Sequence, residues 1–366
     1  MHVLITADTV GGVWTYTREL VSGLMPRGYR VTLVSFGKLP ARSQVAWMQG
    51  LAGLDYRPTP YALEWMLNSE EDIELSKKYL EELIAEVRPD LVQFSQYAYG
   101  AIRANVPKIV VAHSDVISWW TAVRGEPPER TGWIADYCRT VSSGLSGADA
   151  VIAPSHAMLS SLRVHYLPPL RGEVIYNGRD PALFDANTRK RAQVVSVGRI
   201  WDEAKQVSLL REYNHPAPVF IVGSDQHPEH GSNYPGRESC SGITFSGPKT
   251  EEEIRTLLAS SSIYAACSCY EPFGLAPLEA ALSRCALIAN DIPSFREVWG
   301  DAAYYFATHK ADGLADAIRR LVNDRALCRE YGERAYQRAA SKFTRERMID
   351  RYEQLYASLV GQEALR

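Results

Sequence analysis

Two cations and two carboxylates in the second half of the chain have types and spacings that suit a phosphorylated ligand. Arg199 directly follows the apolar run VVSVG, and Lys205 comes six residues later. In CSCYEPFGLAPLEAAL a strand, a loop and a helix succeed one another, with Glu271 in the loop and Glu279 about one turn inside the helix. Arginine and lysine neutralise phosphate charge, and carboxylates accept hydrogen bonds from sugar and ribose hydroxyls. The set favours a nucleoside diphosphate that carries a sugar.

The helix predicted to begin between the two glutamates adds to this set. The first amides of a helix have no partner within it, and the helix dipole favours an anion there. We therefore predict that the phosphates of a donor lie at the start of this helix. The donor-binding residues expected from the segment are Phe273, Gly274, Leu275 and Ala276.

A pair of glycines follows the first predicted strand and precedes a helix. Gly11 and Gly12 would let the backbone approach a ligand closely. We assign Gly12 to binding of the sugar nucleotide (the donor) and Gly11 to binding of the molecule that would receive the sugar (the acceptor). A tight turn that binds no ligand is the alternative. The chain contains neither G-x-G-x-x-G after this strand nor G-x-x-x-x-G-K-[ST] anywhere, so the dinucleotide-binding and P-loop NTPase classes lose support.

His113 ends the apolar run KIVVAH, at the strand end where ligands bind in open α/β folds. A satisfied core histidine is the alternative, and Asp115 is placed to orient the ring.

Trp119 and Trp120 follow closely, and aromatic rings suit sugar faces or flat apolar acceptors. We predict both tryptophans as acceptor contacts, with core packing as the alternative. Ser155 and Asn177 are candidates for lining the site, or for ordinary cap and turn positions.

Alternating strands and helices are predicted along most of the chain. Nearly continuous apolar strands separated by helices predict parallel sheets covered on both faces. Predicted helices span 13–25, 70–87, 130–146, 156–165 and 345–359. The predicted strands are 2–7, 30–35, 90–95, 108–113, 149–154, 173–178, 194–199, 218–223, 242–247, 263–268 and 286–291.

The alternation pauses once, which divides the chain. At 366 residues the chain exceeds what one core usually organises. We predict an α/β protein with two Rossmann-like parallel-sheet domains facing across a cleft, the first binding the acceptor and the second the nucleotide sugar. The predicted segments are 1–178 for the first domain, 179–193 for a linker, 194–342 for the second domain, and 343–366 for a C-terminal helix that returns to the first.

Composition excludes several classes of protein. A formal charge of −3 gives no reason to expect nucleic acid or an anionic membrane as the main partner. No apolar run approaches the roughly 18 residues that span a bilayer, and the first residues lack a signal-peptide pattern. Six cysteines do not form a disulfide framework in a chain of this length, and Cys267 with Cys269 is predicted to face a packed core. We therefore expect a cytoplasmic protein, with membrane contact at most peripheral.

In this order the motifs resemble the retaining glycosyltransferases of family 4, which have the GT-B fold. The resemblance covers most of the chain and is most specific at Glu271 and Glu279, which are separated by seven residues including PFGL. It also includes Gly198 before Arg199, the APS tripeptide at 153–155, and Asn177-Gly178. The chain departs from the family where Gln206 replaces the usual glycine, at ANDIPSFREV (289–298), and along 224–241.

The resemblance implies a role for each matching residue. Arg199 and Lys205 would neutralise the leaving diphosphate, and Glu279 would hold the ribose hydroxyls. Glu271 would face the sugar hydroxyls or the charge that develops at the anomeric carbon, and His113 would contact the donor sugar. Glu297 matches a position where the family often has a carboxylate near the nucleotide or sugar.

The expected activity is transfer of a hexose from a UDP- or GDP-linked donor to an acceptor hydroxyl, with retention of configuration. The absence of a suitable D-x-D motif agrees with a metal-independent front-face mechanism without a cofactor. The acceptor would be a small molecule, a glycan or a glycolipid. The alternatives are a GT-B sugar-nucleotide epimerase and a non-catalytic sugar-binding protein. A glycosidase-like pair of Glu271 and Glu279 is disfavoured, because the cations and helix start suit a phosphate leaving group.

Overall fold

The chain folds into two compact units, each built on its own parallel sheet. The computed structural model describes residues 1–166, 171–227, 231–232 and 242–363. The first unit combines Met1–Thr121, Glu126–Gly178 and Arg345–Arg366, and the second combines Ala122–Gly125 with Arg179–Thr344. The two-sheet α/β prediction is therefore confirmed.

The first unit contains a seven-stranded sheet in the order β3-β2-β1-β4-β5-β6-β7, and all its pairings are parallel. The order reverses between β1 and β4, which is the usual ligand position in such sheets. The strands are β1 His2–Asp8, β2 Arg30–Phe36, β3 Leu54–Pro58, β4 Leu91–Phe94, β5 Lys108–Val111, β6 Ala150–Ala153 and β7 Gly172–Val174. The helices are α1 Gly12–Leu24, α2 Arg42–Val45, α3 Glu70–Val87, α4 Val116–Arg124, α5 Gly132–Gly147 and α6 His156–His165.

The second unit repeats this topology with six parallel strands in the order β12-β9-β8-β13-β14-β15. Its order reverses between β8 and β13. The strands are β8 Arg191–Val197, β9 Val219–Val222, β12 Ile243–Phe245, β13 Ser261–Ala266, β14 Ala286–Asn290 and β15 Ala303–Phe306, and β10 Gln226–His227 pairs antiparallel with β11 Gly231–Ser232. The helices are α7 Glu251–Ser260, α8 Leu275–Leu282, α9 Pro293–Trp299, α10 Ala311–Asn323 and α11 Arg325–Lys342.

The last helix, α12 (Arg345–Glu363), packs within the first unit against α1. The Tyr16 and Tyr352 hydroxyls hydrogen-bond at 2.6 Å in a buried setting. A side chain at Gly23 of α1 would place its Cβ 2.5 Å from Ile349 Cγ1, so the helices approach closely where glycine occurs. Among the described residues, none of the helices combines the length with the apolar character that a membrane span requires.

Several boundaries differ from those predicted. β8 begins at Arg191, within the predicted 179–193 linker, and short 3-10 turns occupy Pro181–Leu183 and Glu203–Lys205. β13 ends at Ala266, so Cys267 and Cys269 are not strand residues, although both thiols are buried. Most of residues 224–241, where the chain departs from the resembling family, lie outside the described residues. The sequence analysis missed the edge strands β3 and β15, which are short and contain partly exposed residues.

Candidate functional site

Arg199 and Lys205 lie in one turn that follows β8, beside the point where the strand order of the second unit reverses. The Arg199 guanidinium is 2.8 Å from the Asp202 carboxylate and lies over the Trp201 ring at 5.1 Å. Asp202 also accepts a hydrogen bond of 3.1 Å from the Ala204 amide, which caps the 3-10 turn containing Lys205. Asp202 thus orients the Arg199 side chain and the turn that contains Lys205. With its side chain 41% exposed, Arg199 is accessible to a ligand.

Lys205 and Glu271 form an ion pair between the turn after β8 and the loop after β13. The Lys205 ammonium is 2.6 Å from Glu271 Oε2, and both side chains are largely enclosed. Ser268 Oγ donates to the same carboxylate oxygen at 3.2 Å. A backbone hydrogen bond of 2.9 Å from the Cys269 amide to the Ala204 carbonyl joins the two loops. Two of the site residues proposed from the sequence, 66 positions apart in the chain, are thereby brought into contact.

Close backbone approach shapes the floor of this site. A Cβ on Gly198 would lie 3.6–3.8 Å from three carbons of the Lys205 side chain, so that side chain passes over the glycine. Gly223, with φ of +149°, would place a Cβ 1.7 Å from the Gly198 carbonyl oxygen. Glycine at 223 therefore permits the contact that positions the turn carrying Arg199.

The loop between Glu271 and α8 presents the start of a helix. Gly274 caps α8 with φ of 91°, in the left-handed region that favours glycine. Leu275 and Ala276 are the first helical residues, so their amides have no partner inside the helix. Phe273 is buried and packs edge-on against Phe343 at 5.5 Å. The helix start is thus firmly held, and its first amides and positive dipole end can bind phosphate.

Glu279 is the fifth residue of α8 and pairs with an arginine that the sequence analysis missed. Its Oε1 atom is 3.0 Å from Nε of Arg179, whose side chain is fully buried. A second guanidinium nitrogen of Arg179 is 2.7 Å from Glu251 Oε1. Arg179 lay in the segment interpreted as a linker, and a lone arginine there gives no local signal that it will be enclosed. Only its tertiary position reveals it.

A polar cluster at the ends of β14 and β15 was also missed. Gln206, next to Lys205, contacts His309 Nδ1 at 2.5 Å, and Asn290 Nδ2 donates to Gln206 Oε1 at 3.4 Å. Gln206 has φ of 46° and His309 has φ of 59°, both left-handed. The glycine usual in the resembling family would explain such a backbone. The sequence shows that Gln206 departs from the family pattern, but no local pattern indicates its left-handed conformation.

Burial of the cysteines near the site removes them as nucleophiles. Desolvation raises the pKa of Cys267 to about 12 and that of Cys269 to about 11. Both thiols therefore stay protonated near neutral pH, and thiolate chemistry is excluded at these positions. No group of three or more His, Cys, Asp or Glu side chains among the described residues could hold a metal ion.

In the first unit, His113 lies just after β5. Its Nε2 atom is 3.2 Å from Ser95 Oγ, and the Tyr16 ring packs edge-on against it at 4.6 Å between centroids. Desolvation lowers the pKa of His113 to about 3, so the imidazole is neutral near neutral pH. Asp115 accepts hydrogen bonds from the Ser118 amide at 2.8 Å and from the Tyr166 hydroxyl at 2.8 Å.

The other predicted residues of the first unit lie near the same end of the sheet. Gly11, with φ of 76°, caps α1, and Gly12 begins it; both are exposed. Trp119 and Trp120 lie on α4, where Trp119 is partly buried and Trp120 is 36% exposed.

Ser155, Asn177 and Glu297 are further candidates from the sequence, and the structure shows the surroundings of each. Ser155 caps α6 by accepting from the Met158 amide at 3.1 Å. Asn177 is buried. The Glu297 carbonyl accepts a hydrogen bond of 3.0 Å from Arg338. These settings favour structural roles for Ser155 and for the Glu297 backbone.

Comparison with known proteins identifies the class. Residues 10–183 match the family model Glycosyltransferase Family 4, and residues 184–338 match Glycosyl transferases group 1. N-acetyl-alpha-D-glucosaminyl L-malate synthase of Bacillus anthracis is 32% identical over 387 residues, covering 95% of this chain and 94% of that protein. The chain belongs to family 4 of the glycosyltransferases and has their GT-B fold. It is therefore an enzyme that transfers a sugar from a nucleotide sugar.

Solved structures agree on the fold. Sucrose-phosphate synthase from Thermosynechococcus elongatus superposes with a TM-score of 0.79 at 18% identity, covering 99% of this chain and 100% of that one. Anabaena HepE, solved in complex with UDP and glucose, gives a TM-score of 0.74 at 16% identity, covering 98% and 100%.

Proposed function

We propose that this enzyme transfers a hexose from a UDP- or GDP-linked donor to an acceptor hydroxyl, with retention of configuration and without a metal ion. The observation that carries the proposal is the Lys205–Glu271 pair beside Arg199 and the start of α8. The two cations follow β8, and the carboxylate and the helix amides follow its neighbour β13, where the strand order reverses. That combination suits a sugar diphosphate.

The cations would act on the leaving group. As the glycosidic C–O bond to the β-phosphate breaks, negative charge grows on the diphosphate, and Arg199 and Lys205 stabilise it. Opposite unit charges about 4 Å apart attract by roughly 4 kcal/mol at an effective dielectric of 20. Preorganised charge of this kind typically contributes on the order of 10²-fold or more to turnover. Two cations and the helix dipole supply what a divalent ion supplies in metal-dependent transferases, and neither a metal nor a cofactor is required.

Retention follows from attack on the face that the diphosphate leaves. The acceptor oxygen forms its bond to the anomeric carbon on that face, and its proton passes to a phosphate oxygen of the leaving diphosphate. Glu271 stabilises the positive charge on the sugar ring, while Lys205, with which it is paired before the donor binds, turns to the phosphate. His113, neutral because of its lowered pKa, hydrogen-bonds a donor-sugar hydroxyl instead of adding charge.

The remaining predicted residues divide between the two substrates. Glu279 accepts hydrogen bonds from the ribose hydroxyls, and Phe273, Gly274, Leu275 and Ala276 line the phosphate site. Gly12 contacts the donor. Gly11, Trp119 and Trp120 contact the acceptor, and the partly exposed tryptophans suit an acceptor with a flat apolar or glycosidic face. A uridine donor is supported by the UDP complex of Anabaena HepE. We propose that the reaction occurs in the cytoplasm.

Donor screening tests the proposal. Thermal unfolding is measured with a panel of UDP- and GDP-hexoses, and the best donor is then assayed with alcohol, glycan and glycolipid acceptors. We expect one nucleotide class to raise the unfolding temperature and the product to keep the anomeric configuration of the donor by NMR. The double variant Lys205→Ala with Arg199→Gln lacks both cations. In this variant the nucleotide sugar should no longer raise the unfolding temperature.

Three results would contradict the proposal. An inverted product would exclude retention, and undiminished nucleotide binding by the double variant would place the diphosphate elsewhere. Release of free nucleotide at the same rate without an acceptor would favour the epimerase alternative.

A further inference from the structure

Arg179 is a fully buried cation at the start of the long segment Arg179–Thr344 of the second unit. Its amide donates to the Phe343 carbonyl at 3.1 Å, and its guanidinium lies 5.3 Å from the centroid of the Phe184 ring. A guanidinium enclosed to this degree is costly unless it is paired and hydrogen-bonded. The residues that pair with it therefore indicate its role.

Two of its partners are carboxylates on different helices, α7 and α8. Glu251 is the first residue of α7 and lies 2.7 Å from one terminal nitrogen of Arg179. Glu279 is the fifth residue of α8 and lies 3.0 Å from Nε. The two carboxylates differ in setting, since the Glu251 side chain is 36% exposed and that of Glu279 only 14%. Arg179 thus joins a surface carboxylate to an enclosed one.

A guanidinium suits this position better than an ammonium would. It is planar, stays charged at every relevant pH, and presents its donors in a fixed fork. The 3.0 Å ion pair with Arg179 holds the Glu279 carboxylate on one side, and α8 holds the other end of the side chain. The Glu279 carboxylate is therefore held in one orientation before any ligand arrives.

We propose that Arg179 is a positioning residue that orients Glu279 toward the donor ribose. The inference rests on the proposed function, in which Glu279 accepts hydrogen bonds from the ribose hydroxyls. Arg179 itself does not touch the donor. By holding the carboxylate as a preorganised acceptor, it makes the enzyme prefer ribonucleotides to 2′-deoxyribonucleotides.

The test is binding of UDP and 2′-deoxy-UDP, or of the GDP pair if screening selects guanine, measured by calorimetry on the full chain. Hydrogen bonds to a charged acceptor predict that the wild type prefers the ribonucleotide by about tenfold or more. Glu279→Gln and Arg179→Lys should each reduce that preference to about threefold or less. In the double variant the two changes should not add, because they remove the same contact.

Glu251→Gln is the matched control. It removes the other partner of Arg179 and leaves the Glu279 pair in place, so the ribonucleotide preference should stay within about twofold of the wild type. A cation that only held two helices together would give a different pattern. Arg179→Lys would then lower thermal stability while the ratio of the two affinities stayed unchanged.

Folding is checked by thermal unfolding of each variant. If Arg179→Lys does not fold, Arg179→Gln combined with Glu251→Gln removes one charge of each sign and leaves Glu279 without its cation. A folded Arg179 variant with the wild-type ribonucleotide preference overturns the inference. If the wild-type enzyme binds neither nucleotide, the proposed function fails. If it binds both equally, only the ribose role fails.

Discussion

The Lys205 ammonium lies 2.6 Å from Glu271 Oε2, so the cation expected to meet the diphosphate is paired with a carboxylate before the donor binds. The pairing holds both side chains in place in a largely enclosed position. In the mechanism that we propose, the phosphate of the bound donor becomes a second anion for Lys205, and Glu271 turns to the electron-poor sugar ring. One ion pair can therefore serve both ends of the bond that breaks.

Replacing either member of this pair should reduce catalysis more than stability. We expect Lys205→Ala to lower kcat/KM by about 10²-fold or more, because a preorganised cation at the leaving group is lost. Glu271→Gln should lower kcat by a similar factor and leave donor affinity less affected. Steady-state kinetics with the best donor measure both effects. Lys249→Ala is the control, since that lysine pairs with Glu253 on α7, 3.4 Å away, outside the proposed site; a comparable loss there would contradict the assignment.

Gln206 should tolerate glycine better than any β-branched residue. Its φ of 46° lies in the left-handed region, which costs an ordinary residue roughly 1 kcal/mol. Gln206→Gly relieves this cost but loses the contacts with His309 and Asn290, so we expect a net change in unfolding free energy within about 1 kcal/mol. Gln206→Val should destabilise by about 2 kcal/mol, because it adds strain and loses the same contacts. Denaturant unfolding ranks the three proteins, and a valine variant as stable as the glycine variant would contradict the argument.

Local pattern was sufficient for most of the architecture. Strands such as β1 and β14 are buried along their whole length, so their apolar runs identify them without further information. The edge strand β3 was missed because LDYRP is partly exposed and contains two charged residues. A strand that is covered on both faces has apolar residues along its whole length, and this run is visible in the sequence. An edge strand is partly exposed to solvent, so its residues are mixed and form no such run.

The proposed donor site was predictable only where its chemistry is local. Glu271 and Glu279 are linked by eight positions of chain and a helix start, and this combination is visible in the sequence. Arg179 lies 100 positions before Glu279, in a polar segment that gives no indication of burial. Its role depends on the carboxylates that contact it, which lie on α7 and α8, and only the tertiary structure brings them together.

His113 should make the free energy of unfolding increase with pH in the acid range. Its folded-state pKa of about 3 is below the ordinary value of 6.5, so the unfolded chain binds its proton more readily. Between these two values stability must therefore rise with pH, and it is lost as pH falls below about 6.5. The slope from this residue is at most about 1.4 kcal/mol per pH unit. His113→Asn should reduce the pH dependence of the unfolding free energy over that window. His165→Asn, at the end of α6, is the control, and equal slopes for the wild type and His113→Asn would contradict the prediction.

Gly223 should be intolerant of any side chain, because the turn that carries Arg199 depends on it. Alanine would place its Cβ 1.7 Å from the Gly198 carbonyl oxygen and would require a φ of +149°, which L-residues rarely adopt. We expect Gly223→Ala to destabilise the protein by about 3 kcal/mol or more and to weaken nucleotide binding, because the backbone must move where Arg199 begins. Gly313→Ala is the opposite case: the residue lies in α10, a Cβ there meets nothing closer than 3.7 Å, and alanine should stabilise the helix by up to about 1 kcal/mol. Thermal unfolding with and without nucleotide separates the two effects. A Gly223→Ala protein that unfolds and binds nucleotide like the wild type would show that the Gly198 turn has another support.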